Sequence, residues 1–277
     1  MTKEKDGNYY FAVGKEGEER LTLVNKLNND SSFRFIRDHN LLKSGMTVLD
    51  LGCGTGQIAI LLAKQLTPSG KVIAIDNSEK QIEIAKKAAA DAKVDIEFHL
   101  ISVSDIDSLN LNNSIDLVFA RFFFMHLTEP KEVLNNVKHV LKPETGVIIM
   151  QEHISSHMFS YPENPALKAL IDLAAKLNKH LGKDNNLGLK LLELCKNAGL
   201  KVFDYQYNNS LAKTKEEKLI FYKSLAEATP VVLKNDLTTE EEINKLKQGL
   251  MDFAETENNL VSGMPTLIVG AVLETGE

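Results

Sequence analysis

The chain has 277 residues, 43% hydrophobic and 25% charged, which is a globular balance with ample length for a sizeable core. Its formal charge of -6 argues against a non-specific nucleic-acid binder or an anionic-membrane binder, both of which are expected to be basic. Two distant cysteines, Cys53 and Cys195, exclude a disulfide framework and point to a reducing, cytoplasmic setting. The charged start has no signal-peptide core, and no apolar run approaches the roughly 20 residues needed to span a bilayer.

Residues 16–40 are polar with apolar positions at helical spacing, which predicts one or two amphipathic helices. "TVLDLG" is a short buried strand ended by glycine, and "GQIAILLAKQL" is the helix after it. "PSG" breaks the chain before a second strand, "KVIAID". The next helix opens at Ser78, three residues before Gln81, the spacing of a capping box. "DIEFHLIS" and "SIDLVFAR" are strands three and four. A helix opened by Thr128 and Pro130 follows, and then a fifth strand, "TGVIIMQEH". Strand and helix alternate from about residue 46 to 152, which implies βαβ units and a parallel sheet.

Beyond residue 153 the pattern changes. Helices are predicted after Asn164-Pro165 and over "LGLKLLELCKNAGL", with a strand over "KVFDYQYNNSLA". Residues 214–260 are helical and charged, with a helix start at Thr238 or Thr239, and "PTLIVGAVLE" is the last strand. The expected organisation is an N-terminal helical segment (1–40), a core (41–212) with a helical insertion near 155–185, a helical lid (213–262) and a final core strand (263–277). A solvated packing element or a dimer surface is the alternative for 213–262.

The loop Asp50-Leu51-Gly52-Cys53-Gly54-Thr55-Gly56 leaves a strand and enters a helix. Glycines permit a tight turn and close ligand approach, and the helix start offers unpaired N–H groups. A nucleoside-triphosphate loop needs a lysine after its last glycine, and a dinucleotide loop needs a third glycine after two spacer residues. Gln57 stands at both places. What is present is GxGxG with Asp50 two residues before it. Asp76 ends the second strand, about 20 residues on, where an acid accepts from a ribose diol.

"VLDLGCGTG", "VIAID", "IDLVFARFFFMHL" and "VLKPETGVIIMQE" together resemble the class I S-adenosylmethionine-dependent methyltransferases, over about residues 8–155. "YYFAVGKEGEERL" resembles the small-molecule subgroup. The resemblance implies a Rossmann-like α/β fold: a mostly parallel seven-stranded sheet whose last strand is antiparallel. It implies S-adenosyl-L-methionine as cofactor, with backbone contacts from Gly52, Gly54 and Gly56 and with Cys53 as a small filler in the turn. Asp50 is expected near the amino group, Asp76 on the ribose hydroxyls and Asn77 at the adenine edge. Ser102 and Val103 align with the family's adenine-contacting pair, although Ser102 replaces the usual acid; Asp105 is the alternative. Ala120 and Arg121 match the turn beneath the sulfonium, Arg121 pairing either with the cofactor carboxylate or in a surface salt bridge. Tyr10 and Arg20 are candidates to close over the cofactor.

Methyl transfer is an in-line displacement that needs alignment and exclusion of water, and a base only when the acceptor must lose a proton. The acceptor wall is expected from Phe122, Met125 and His126 after strand four, from His157 and Tyr161 after strand five, and from Tyr222. Of the histidines, His153 is the candidate base, because it ends a strand at the ligand edge of the sheet. The Asn/Asp-Pro-Pro-Tyr/Phe turn of amino-methylating nucleic-acid enzymes is absent, and no cysteine follows a proline. A metal-dependent site would need clustered acids, whereas Glu152 stands alone. The expectation is therefore a small-molecule acceptor, without metal, nucleic acid or membrane partner. The alternatives are a cofactor-binding regulator of the same fold and a macromolecular methyltransferase. The acceptor atom and the oligomeric state are not legible.

Overall fold

The structure, a computed structural model, describes residues 15–274. Nine strands and eight α-helices follow one another along this stretch. The parallel core comprises β1 (Thr47–Leu51), α2 (Gln57–Leu66), β2 (Lys71–Asp76), α3 (Glu79–Ala92), β3 (Glu97–Leu100), β4 (Leu117–Arg121), α4 (Pro130–Val137) and β5 (Val147–His153). It is preceded by α1 (Lys15–Asp38) and followed by β6 (Ser160–Tyr161), α5 (Pro165–His180), α6 (Leu191–Asn197) and β7 (Leu200–Asn208). Two long helices, α7 (Lys215–Lys234) and α8 (Glu240–Glu255), then precede β8 (Leu260–Val261) and β9 (Thr266–Leu273).

Seven strands form one sheet in the order β3-β2-β1-β4-β5-β9-β7. β1 to β5 pair in parallel, and β9 lies antiparallel between β5 and β7. β6 and β8 form a separate two-stranded ribbon. Chain order reverses between β1 and β4, so the crevice at their carboxyl ends is the topological switch point of the sheet.

Strand alternation divides the core. Leu49, Leu51, Ile73, Ile75, Val118 and Ile148 join the cluster that includes α4 and α6. Val48, Ala74, Phe119 and Ile149 face Phe35 and Ile36 of α1 and Ile58 and Leu62 of α2. A third cluster lies outside the sheet, where Leu23, Leu173, Leu177, Phe221, Leu225, Ile243 and Leu250 bring together α1, α5, α7 and α8.

Local signals hold at most helix starts. The Ser78 hydroxyl accepts from the N–H of Gln81, and Asn164 accepts from Leu167. Thr214 and Thr239 each complete a reciprocal capping box, with Glu217 and Glu242. α4 differs from expectation: Glu129, not Thr128, stands at its N-cap, and Pro130 supplies the preset backbone of the first turn. Residues 15–38 form one continuous helix, because the polar break at Asn29–Ser31 is bridged by buried Asn28 and Ser32, which bond back along the helix. Among the described residues no helix is long and apolar enough to cross a membrane.

Candidate active site

Gly52, Gly54 and Gly56 all adopt positive φ (64°, 51° and 76°), so the loop needs residues without a Cβ. Their further roles differ. A Cβ on Gly52 would stand 2.5 Å from the Phe123 ring, and one on Gly56 would stand 2.8 Å from Ala85 Cβ. A Cβ on Gly54 would meet only a Leu21 methyl, 4.0 Å away. Gly52 thus admits a ring of the opposite turn, Gly56 brings α2 against α3, and Gly54 faces open space. The Asp76 carboxylate ties the loop to β2, accepting from Gly54 N at 2.9 Å and from Ser78 N at 2.9 Å.

A cavity of about 1180 Å³ opens from this loop. It exceeds the roughly 300–1,000 Å³ of a pocket for one drug-sized ligand. Asp50, Gly52, Cys53, Gly54, Asp76, Asn77, Ser102 and Val103 line one end. Arg20, Arg121, Phe122, Met125, His126 and His153 line it further along. The structure therefore brings most of the predicted residues around one space.

Asp50 is buried, and its Oδ2 has no hydrogen-bond partner among the described residues. Burial lifts its pKa to about 7, against the opposing pull of the Arg121 cation. An orphaned buried carboxylate oxygen on a ligand wall suits an ammonium donor, and the open space at Gly54 suits a ligand lying against the backbone. By these two observations the site fits the amino-acid end of S-adenosylmethionine. Burial, reinforced by Asp50 and Asp76, raises the Cys53 thiol well above the usual range. The Ser102 hydroxyl is within 2.5 Å of Ser104 Oγ and caps a short 3-10 turn.

Arg121 is not a surface ion-pair residue. It donates to Asn29 Oδ1 at 2.9 Å, to Ser32 Oγ at 3.1 Å and to Asn25 Oδ1, all on α1. Ser32 also bonds Gln151 on β5, which donates to Thr266 Oγ1 on β9. This buried polar chain fastens α1 across the carboxyl ends of β4 and β5 and the amino end of the antiparallel β9. Arg20 pairs with Glu227 at 2.8 Å, both nearly fully buried, and so joins α1 to α7 beside the cavity.

The turn after β4 is held from the neighbouring strand. Glu152 is fully buried and accepts from the N–H groups of Phe123 and Phe124 at 3.0 and 2.8 Å, and of Met125 at 3.3 Å. Burial pushes its pKa to about 8 against those three bonds. Phe122, in the same turn, has φ 51°, a strained conformation for a bulky residue, and its ring meets His153 edge-on at 6.4 Å. His153 Nδ1 lies 2.9 Å from the Pro265 carbonyl. A carbonyl only accepts, so Nδ1 carries the hydrogen and Nε2 keeps its lone pair. Burial holds the pKa of His153 near 4 and that of His126 near 3, so both rings are neutral at physiological pH.

Five predicted residues fall outside the cavity wall. His157 is exposed and packs edge-on against Tyr207, 5.5 Å away. Tyr161 is 74% exposed on the β6 ribbon. Tyr222 turns into the apolar helical cluster, and its neighbour Phe221 faces the cavity instead. Ala120 is buried in the sheet core, and Gly56 serves the α2–α3 contact. Tyr10 lies outside the described residues. Sequence reasoning placed a helical lid over 213–262 and named Tyr222 on it, but missed the residues of α5 and α7 that line the cavity, including Leu173, Leu177, Ile220 and Leu225. Helical periodicity marks these positions as apolar but cannot distinguish core from cavity.

The methyltransferase-domain family matches residues 42–228. A demethylmenaquinone methyltransferase of Lactobacillus johnsonii is 33% identical over 127 residues, covering 46% of this chain and 49% of that protein. One from Lactococcus lactis is 29% identical over 184 residues, 61% of this chain and 69% of the relative. The chain thus spans about half the length of the first relative and somewhat over two thirds of the second. The crystal structure of a putative methyltransferase from Bacillus halodurans superposes with TM-score 0.56 at 14% identity, over 93% of this chain and all of that one, a likeness of fold. With the switch-point glycine loop, the orphaned Asp50 oxygen and the antiparallel β9, these matches place the chain in the class I S-adenosylmethionine-dependent methyltransferase family.

Proposed function

We propose that the protein transfers a methyl group from S-adenosylmethionine to a small-molecule acceptor held in the same cavity. The observation that carries this reading is the continuity of the cavity: one space runs from Asp50 and Gly54 past His153 to the faces of α5 and α7. Its volume suits two ligands end to end. The names of the demethylmenaquinone methyltransferases, which carry a small-molecule acceptor, support the same reading.

The cofactor, when bound, supplies an electrophilic methyl group on a sulfonium that leaves as a neutral thioether. Asp50 takes the ammonium group, Asp76 adds ribose hydroxyls to the free lone pairs of its carboxylate, and Asn77 and Val103 border the adenine. Arg121, already fastened to α1, holds that helix over the site rather than pairing with the ligand. Phe122 and Met125 exclude water around the transferred methyl. For an acceptor that must lose a proton, His153 Nε2 receives it.

The test is a calorimetric titration with S-adenosylmethionine, followed by a methyl-release assay over a metabolite panel. Binding with transfer to a small acceptor is expected. Binding without transfer to any small acceptor, together with transfer to RNA or protein, would replace this reading.

A further inference from the structure

The helical end of the cavity differs in chemistry from the loop end. α5 lines it with Leu173, Ala174 and Leu177, and α7 with Phe221, Leu225 and Ala228. Among the described residues neither helix contributes a charged side chain to the wall. Arg20 of α1 also lines the cavity but is paired with Glu227, so a charged group against the α5 and α7 faces would lose its water without gaining a new counter-ion, which is strongly unfavourable. An apolar group there would gain roughly 25 cal/mol for each Å² removed from water.

Polar groups occur where this apolar end meets β5. His153 Nε2 offers a lone pair, since Nδ1 is committed to the Pro265 carbonyl. Asn185 is buried, lines the cavity, and its Nδ2 donor has no hydrogen-bond partner among the described residues. The Asn185 carbonyl accepts from Ser155 N at 3.1 Å, which fixes this residue beside the end of β5. An acceptor nitrogen on this wall matches the hydrogen of a hydroxyl.

Resting on the methyltransferase reading, we propose that the acceptor is an uncharged hydroxyl compound with an extended apolar body. The hydroxyl lies against His153 Nε2, near Asn185, and the body lies between α5 and α7. In the transfer, the hydroxyl oxygen forms a bond to the methyl carbon as the sulfur–carbon bond breaks, its electron pair going to sulfur. The hydroxyl proton passes to His153 Nε2 and then to solvent. No oxidant, reductant or metal enters the balance.

The probes are 4-alkylphenols from ethyl to nonyl, and phenols of equal length ending in a carboxylate. Cofactor binding is measured first and alone; its failure removes the methyltransferase reading without touching the acceptor assignment. Phenol affinity is then measured calorimetrically with S-adenosylhomocysteine present if it binds, and without it otherwise. We expect roughly fourfold tighter binding for each early methylene, the value of one buried CH₂, and carboxylate-tailed probes at least tenfold weaker. Ala174→Phe and Ala228→Phe, each filling the apolar end, should shift the preferred tail to shorter lengths and leave cofactor affinity unchanged. Affinity independent of tail length, or equal binding of carboxylate-tailed probes, would overturn the acceptor assignment even in an active methyltransferase.

Discussion

The two ends of the cavity are built by different means. The loop end uses backbone: three glycines at positive φ, N–H groups bonded to Asp76, and one buried carboxylate, nearly all within residues 50–78. The helical end uses side chains from α1, α5 and α7, more than 200 residues apart at the extremes. Recognition of a constant ligand can reside in a short turn, because backbone atoms have one chemistry. Recognition of a variable acceptor needs side chains, and a helical layer outside the sheet supplies them without disturbing the strands.

This contrast predicts where substitutions act. Arg20→Leu would leave Glu227 charged and buried on α7, costing roughly 3–5 kcal/mol in thermal or denaturant unfolding. A loss under 1 kcal/mol would show that α1 and α7 do not depend on the pair. His153→Gln keeps volume but removes the neutral imidazole, and kcat should fall about 100-fold with cofactor Kd unchanged. A parallel loss of cofactor affinity would place His153 at the loop end instead.

Gly52→Ala puts a Cβ against the Phe123 ring at an unfavourable φ, for about 1–3 kcal/mol of strain. Cofactor affinity should fall while phenol binding is retained; loss of both in a folded variant would mean that the ends are not separable. The mildest effect is on pH. Asp50 titrates near pH 7 in the free protein, and only its ionised form pairs with an ammonium group. Cofactor affinity should therefore be level above pH 7 and fall toward tenfold per unit below it, with proton release on binding visible as a buffer-dependent calorimetric enthalpy. A flat profile from pH 5 to 8 would remove Asp50 from the ammonium contact.

Stability carries a related signature. Glu152 rises from an ordinary 4.5 to about 8 on folding, so it binds its proton more tightly in the folded state. Its contribution is full below pH 4.5 and is lost as pH rises through 8. Glu152→Gln, which keeps an oxygen acceptor for the turn, should flatten that slope in denaturant titrations between pH 5 and 8.

Legibility followed the range of the physics involved. The strand–GxGxG–helix unit, Asp76 and the Ser78 cap depend on neighbours a few residues away or one βαβ unit away, and they were readable. The strands β1 to β5 and the helix start at Thr239 were readable for the same reason. His157 and Tyr161 were misplaced, because the chain turns away from the cavity after β5 into the exposed ribbon β6. Arg121 was read as a ligand or surface group because nothing near it in sequence announces Asn25, Asn29 and Ser32.

The amino-acid sequence by itself determined the parallel core, the ligand edge of the sheet and the cofactor, since glycine conformations and strand periodicity are local properties. Only the tertiary structure decided which apolar helix faces line a cavity, that Glu152 holds the turn after β4, and that the Pro265 carbonyl engages Nδ1 of His153 and leaves Nε2 without the hydrogen. Those properties arise where distant segments meet, and their contacts leave no periodic trace in the chain.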